Sequence, residues 1–390
     1  LNIKLLIKTG VINIMHYEKE IADKLLKNIV SIEIPMSLEC NFRCKYCYIK
    51  EDKYKKQKVT ANQVIKLFEP IKNYFPSMLK ENQVCFIIPW GSEPLMNWNV
   101  IEESMEYLFT HYPNVPIKTS WSTNASIIND KYINFIKKYY DYIESIQISL
   151  DGPQEVHNYS RKIMGKQGSF SKVMSHYQWL IQEIPDIKNK LVFKSTISPE
   201  QIKLGHLYKA NIFFWEEIGL PQSPVSFTHD SWYDEEAIKT FVDDMEKIKN
   251  YCHKHPDKTT GLFSFITRDA NCSAGVTQVG IDIDGNIYSC HAAYTDSEKE
   301  KIFKLGNVLT GEVDTKAIYR TTFAKYNYNE FRKPMCQNCK VYKFNPRACW
   351  FCPMDMHNFN KFSYTTNLSV CSLYRIIAKH YEEWGKYGQK

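Results

Sequence analysis

From residue 31 onward, short runs of β-branched and aromatic residues alternate with longer amphipathic segments, and this rhythm leaves few folds open. Candidate strands occupy 31–37, 83–90, 117–122, 145–150, 191–197 and 224–228, and helices are expected to begin near Thr60, Trp98, Asn129, Ser169, Glu200 and Asp234. Thr, Asn, Ser and Asp at such starts can cap a helix with a side-chain oxygen. Repeated β-α units build a parallel sheet covered by helices. The six units counted here fall short of the eight that close a barrel. The expectation is an α/β fold whose incomplete barrel is open on one side to a large substrate.

After about residue 257 the rhythm stops and cysteine, glycine and aromatic residues take over. Val279, Ile281 and Ile283 alternate into Asp284-Gly285-Asn286, and Ile287 and Tyr288 continue beyond it, the pattern of a β-hairpin. The expected organisation is an N-terminal extension (1–30), the barrel (31–256), a small cysteine-rich domain (257–375) and a C-terminal tail (376–390). Two charged stretches, 50–58 and 296–304, are expected to be exposed loops.

Composition narrows the class further. With 44% hydrophobic and 24% charged residues, 15 Gly and 16 Pro, the chain is neither collagen-like nor disordered. No apolar run is long enough to span a membrane, and the start lacks a cleavable signal, so a cytoplasmic protein is expected. The net charge of +7 selects no partner, and neither nucleic acid nor membrane is expected as one. The 12 cysteines, without a secretory signal, point to metal or redox chemistry before disulfides.

Cys40, Cys44 and Cys47 lie directly after the first candidate strand, in the stretch Cys-Asn-Phe-Arg-Cys-Lys-Tyr-Cys. Loops at that end of a barrel build active sites. Three thiolates on one short loop can ligate three irons of a cubane, leaving the fourth iron open to a small molecule. The bland readings are a zinc site completed by a distant ligand and unligated core cysteines. Of the other thiols, Cys85 lies in an apolar run and reads as a buried small hydrophobe. Cys252, near His253 and His255, reads as a partly exposed thiol or a remote ligand.

With its CxxxCxxC loop the sequence resembles the radical S-adenosylmethionine (SAM) superfamily, whose core is a partial (β/α)6 TIM barrel. The resemblance implies that Cys40, Cys44 and Cys47 hold a [4Fe-4S] cluster. Gly91-Ser92-Glu93-Pro94 is similar to the Gly-Gly-Glu-Pro element that holds the methionine amino group, with Ser92 in place of the second glycine. A serine there is strained only at positive φ. The resemblance also places Tyr46 near adenine, Ser149 with the end of strand three (Ser122, Asn124) near the ribose, and Arg161 at the SAM carboxylate. Against these stand a core aromatic for Tyr46, turn caps for Ser122, Asn124 and Ser149, and a surface salt bridge for Arg161.

Cys272, Cys290, Cys336, Cys339, Cys349, Cys352 and Cys371 follow in an order that resembles the SPASM domain, which carries two auxiliary iron-sulfur clusters. The gaps of nine and two residues within the middle block depart from the usual five and three. The resemblance implies one cluster on Cys336, Cys339, Cys349 and Cys371, and another on Cys272, Cys290 and Cys352 with one ligand lacking. The paired CxxC knuckles could instead close a four-thiolate zinc site. His291 stands where the sulfatase-maturing branch has an acidic base, so it is either the acid-base catalytic group or a solvent-facing side chain.

Taken together, the resemblance implies three [4Fe-4S] clusters and SAM, reductive SAM cleavage, and hydrogen-atom abstraction from a peptide or protein substrate. The expected activity is that of a maturase forming an intramolecular cross-link, such as a thioether, in a ribosomally made peptide. The alternative is an anaerobic sulfatase-maturing enzyme. A reducing flavodoxin or ferredoxin is the implied electron donor. With 39 residues before Cys40, leader recognition is expected to fall to a separate leader-binding protein, to the barrel, or not to occur.

Overall fold

A computed structural model describes residues 28–47, 49, 58–74, 84–165, 168–228, 231–264, 273–295, 297–318, 338–341 and 368–385. Six strands run parallel in the order expected of β-α units: β1 (Ser31–Ser37), β2 (Cys85–Gly91), β3 (Ile117–Thr123), β4 (Ile143–Ser149), β5 (Leu191–Ile197) and β7 (Val225–Phe227). A two-residue strand, β6 (Gln222–Ser223), pairs separately with β8 (Thr259–Thr260). Helices follow the strands: α1 (Ala61–Tyr74), α2 (Trp98–His111), α3 (Asp130–Lys138), α4 (Gln154–Ser160), α5 (Phe170–Glu183), α6 (Pro199–Lys203), α7 (His206–Glu216) and α8 (Glu235–Lys254).

The sheet does not stop at the expected domain boundary. β9 (Gln278–Ile281) pairs parallel with β1, and β10 (Asn286–Tyr288), β11 (Lys304–Asn307) and β12 (Glu312–Val313) continue antiparallel from it. The order of the ten-stranded sheet is β12-β11-β10-β9-β1-β2-β3-β4-β5-β7. The hairpin is present where Asp284-Gly285-Asn286 predicts it. Asp282 fixes the turn by accepting from Asp284 N, Asn286 N, Asn286 Nδ2 and Tyr288 OH. The stretch expected as a loop at 296–304 contains a helix, α9 (Ser297–Phe303), because its Glu and Lys are good helix formers and Phe303 is buried at its end.

Alternation along the strands separates two faces. Cys85 and Ile87, Ile117, Thr119 and Trp121, and Ile143, Ile146 and Ile148 are buried on one face. Phe86, Ile88, Trp90, Ser120, Ser122, Ser145, Gln147 and Ser149 lie on the other and are half-buried or exposed. Register confirms the shared face: Ser120 stands opposite Ser145, and Ser122 opposite Gln147.

The caps expected at Asn129 and Asp234 form, with Asn129 Oδ1 accepting from Tyr132 N and Asp234 Oδ1 from Ala237 N. Ser198 rather than Glu200 caps α6, in a capping box with Gln201. Cys252 corrects the sequence reading: it is 1% exposed, on the same stripe of α8 as Phe241, Met245 and Ile248. A C-terminal helix, α10 (Leu368–Gly385), packs on α8, where Lys249 bridges to Glu383.

Candidate functional site

The loop after β1 carries Cys40, Cys44 and Cys47, and it is fastened on both sides. On one side it pairs with the segment after α4: Arg43 N donates to Lys162 O (2.8 Å), Lys45 N to Ser160 O (3.1 Å), and Met164 N to Asn41 O (2.9 Å). On the other side Asn124 Nδ2 donates to Asn41 Oδ1 (2.9 Å), and Asn41 Nδ2 donates to Ser126 Oγ (2.8 Å). Asn124, expected to reach a ribose, therefore has its side chain turned to the cysteine loop.

Gly91 shows why the turn after β2 has its sequence. Its φ is +156°, and a Cβ built there would fall 1.5 Å from Ser37 O. Only glycine lets the two chains approach so closely. Ser92 is not among the positive-φ residues, so serine replaces glycine there without strain. Ser92 N and Glu93 N then donate to Ser37 O and Glu39 O, each at 3.0 Å.

Glu93 is buried, and its carboxylate accepts from Thr123 Oγ1 (2.6 Å), Leu95 N (3.1 Å) and Asn124 N (2.6 Å). Burial pushes its pKa up to about 7 against the pull of these donors. Three donors on two oxygens leave one lone pair of Oε2 for a further cation.

Asp151 is a second buried carboxylate. Thr196 N donates to Oδ1 (3.1 Å), Tyr46 OH donates to Oδ2, and Arg161 Nε lies 3.0 Å from Oδ1 as an ion pair outside hydrogen-bond angles. Burial raises Asp151 and Arg161 opposes it. The Arg161 guanidinium also lies 5.3 Å from the Tyr46 ring centroid, and its charge acts on the Cys44 thiol and lowers its pKa against the larger effect of burial. Arg161 is thus a buried group and not a surface salt bridge.

His157 braces this arrangement. Asp151 N donates to His157 Nδ1 (3.3 Å), so Nε2 carries the proton and donates to Ser169 Oγ (2.8 Å), which donates to Arg161 O (2.8 Å). Burial holds His157 neutral, with its pKa lowered to about 3. Ser169 gives up capping α5 for this chain, and Asn158 Oδ1 accepts from Ser169 N and Phe170 N instead.

Of the remaining expected residues, Ser122 is exposed and donates to Gln147 Oε1 (2.8 Å), and Ser149 is half-buried at the end of β4. His291 is a quarter exposed, with Nδ1 against Glu33 Oε2 and its ring 4.9 Å from that of Trp90. Glu33 was missed in the sequence, although a carboxylate inside the apolar run 31–37 was a visible anomaly. Cys290, Cys339 and Cys371 are half-buried, while Cys272, Cys336, Cys349 and Cys352 lie outside the described residues.

The three-cysteine loop fits an iron-sulfur cluster. Burial pushes Cys40 up to about 12 and Cys44 to about 11, with repulsion among the three thiols adding to it and Arg161 opposing it at Cys44. Metal binding is what would draw off such protons. Among the described residues no three His, Cys, Asp or Glu converge as for a single ion.

Known proteins agree. Residues 34–203 match the radical SAM superfamily, and residues 272–340 match SPASM, an iron-sulfur cluster-binding domain. The chain carries a radical SAM domain followed by a SPASM domain. These domains imply iron-sulfur clusters and SAM as cofactors. A cysteine-type anaerobic sulfatase-maturating enzyme of Clostridium perfringens is 23% identical over 355 residues, 82% of this chain and 88% of that protein. The radical SAM cyclopropyl synthase TigE of Paramaledivibacter caminithermalis is 31% identical over 147 residues, 34% of this chain and 29% of its own length.

Among solved structures, anSMEcpe with bound AdoMet superposes with a TM-score of 0.67 at 18% identity, covering 92% of this chain and 99% of that one. Streptococcus suis SuiB bound to its precursor peptide SuiA superposes with a TM-score of 0.52 at 16% identity, covering 85% and 74%. At these identities the likeness establishes the fold, a partial barrel with a C-terminal SPASM extension. Among the described residues no helix is long and apolar enough to cross a membrane.

Proposed function

We propose that this enzyme is a peptide maturase that installs an intramolecular cross-link, a thioether or a related bond, in a ribosomally synthesised peptide. The observation that carries this reading is the three-cysteine loop seated between the buried carboxylates of Glu93 and Asp151, beside the half-buried and exposed face of the sheet. The precursor peptide bound by SuiB supports it. Bound at the loop, a [4Fe-4S] cluster with SAM would supply the one-electron chemistry for hydrogen-atom abstraction from a substrate carbon.

The protein's part is to hold and orient. Cys40, Cys44 and Cys47 hold the cluster, and Glu93 with the Gly91–Ser92 backbone receives the methionine amino group. Arg161 takes the carboxylate, Tyr46 packs beside adenine, and Ser122 and Ser149 face the ribose. Asn124 contributes its place in the turn more than its side chain, which Asn41 and Ser126 already occupy. His291, fixed through Nδ1 by Glu33, presents Nε2 as the proton acceptor. The remaining cysteines, Cys272, Cys290, Cys336, Cys339, Cys349, Cys352 and Cys371, hold two auxiliary clusters, making three in all. A reduced flavodoxin or ferredoxin delivers the electron.

A second reading, maturation of a sulfatase by oxidation of Ser or Cys to formylglycine, is favoured by the long match to the C. perfringens enzyme. The deciding experiment incubates anaerobically reconstituted enzyme with SAM, a reductant, and either a short cysteine-containing peptide encoded beside its gene or a sulfatase-motif peptide. Loss of two hydrogens from the first alone, with 5'-deoxyadenosine formed, supports the cross-linking maturase. Conversion of cysteine to an aldehyde in the second alone supports the sulfatase reading and overturns the first.

A further inference from the structure

Asp151 makes more contacts than a turn cap requires. Its N–H donates to His157 Nδ1, its carbonyl accepts from Ser195 Oγ (2.8 Å), and its carboxylate accepts from Thr196 N and Tyr46 OH. Those partners come from α4, from β5 and from the cysteine loop. A carboxylate held from β5 and from the cysteine loop, on a main chain that α4 and β5 also hold, cannot turn. Arg161, by contrast, has a long side chain with many rotamers to lose when fixed. Its main chain is tied down, since its N–H donates to His157 O (2.9 Å) and its carbonyl accepts from Ser169. Its head group is set by Asp151 on one side and the Tyr46 ring on another, and its charge reaches the Cys44 thiol.

We infer that Asp151 is the positioning residue of this site: with Tyr46 pinning its second oxygen, it aims the Arg161 guanidinium at the space beside Cys44 where the carboxylate of SAM is bound. The inference rests on the reading of Arg161 as the partner of that carboxylate. Stability alone does not account for the pair, because a buried ion pair is often no more stabilising than well-packed apolar residues of the same volume. What the pair supplies is direction. An arginine fork recognises a carboxylate only when its plane is set, and Asp151 and the Tyr46 ring set it from two sides.

The test uses reconstituted enzyme and measures SAM affinity by equilibrium dialysis, beside iron and sulfide content and the shift of the reduced cluster's EPR signal on adding SAM. Asp151→Asn keeps the shape and removes the charge. It is expected to retain its iron and to bind SAM about 10- to 100-fold more weakly, the range for lost orienting partners of a bound group. Tyr46→Phe keeps the ring and loses only the hydrogen bond to Asp151, and is expected to bind about threefold more weakly.

Arg161→Met separates the two readings. If Arg161→Met binds SAM like wild type, the role given to Arg161 fails. If Arg161→Met binds weakly while Asp151→Asn binds like wild type, the positioning role alone is overturned. A device acting through Arg161 also predicts that Asp151→Asn adds no further loss to Arg161→Met, which a merely structural role would not give. Should Asp151→Asn fail to fold, Tyr46→Phe decides: undiminished SAM affinity and EPR shift there overturn the inference.

Discussion

Replacing Gly91 by alanine tests the geometry of the site at one atom. The new Cβ would sit 1.5 Å from Ser37 O, where about 3 Å is the closest tolerated approach, so β1 and the turn after β2 must part. A side chain at φ +156° costs about 1–3 kcal/mol in backbone strain alone. Separation also breaks the bonds from Ser92 N to Ser37 O and from Glu93 N to Glu39 O, at about 1 kcal/mol each. The expected loss is about 4 kcal/mol, a large share of the roughly 5–15 kcal/mol of a typical domain. Urea unfolding of the apoprotein, followed by circular dichroism, reads this directly. Ser92→Gly is the control, since Ser92 has no positive φ, and its cost is expected to stay below about 1 kcal/mol. A Gly91→Ala protein within about 1 kcal/mol of wild type refutes the close-approach argument.

Asp244→Ala tests a cap supplied across helices: Asp244 Oδ2 accepts from Tyr208 N, because Gly205 at the start of α7 has no side chain to do so. The expected loss is about 1–2 kcal/mol in urea unfolding, and Asp244→Asn, which keeps the acceptor, is expected to lose clearly less. His157 is neutral in the fold and protonates freely when unfolded, so the unfolded chain binds the extra proton between pH 6.5 and about 3. Stability from this group is complete above pH 6.5 and declines as pH falls toward 3, and His157→Gln should flatten that part of the acid-unfolding profile. Native apoprotein treated with iodoacetamide should label the exposed Cys47 and spare Cys252, which is buried with its pKa raised to about 12. Hydrogen exchange should find the Arg43 and Lys45 amides protected after iron chelation, because their acceptors are main-chain carbonyls. Rapid exchange at both would show that the loop depends on its cluster.

What could be read in the sequence was what repeats locally. Strand positions follow from alternation, as in Cys85–Gly91 with Cys85 and Ile87 buried and Phe86 and Ile88 more open. The Asp284-Gly285-Asn286 turn follows from its own residues. The burial of Cys252 was legible too, since Phe241, Met245, Ile248 and Cys252 recur at helical spacing, but the nearby histidines drew attention to the surface. The pairing of β9 with β1 was not legible, because partners more than 240 residues apart leave no local trace. Nor was the pairing of Glu33 with His291, for the same reason.

The candidate SAM contacts show most clearly where a motif stops being informative. Glu93, Asn124 and Asp151 lie around the cysteine loop, and each spends its hydrogen bonds on tying parts of the chain together. Glu93 ties the end of β2 to the end of β3. Asn124 ties β3 to the cysteine loop. Asp151 ties β4 to β5 and to the same loop. Strand ends in a parallel sheet have main-chain groups with no ladder partner, and buried side chains at those ends must satisfy them. The residues proposed to meet the ligand and those that close the sheet are thus drawn from the same few positions. A substitution at any of them is expected to disturb cofactor affinity and stability together, whereas one on the open face, such as Gln147→Ala, where Ser122 loses only its acceptor, should leave stability nearly unchanged.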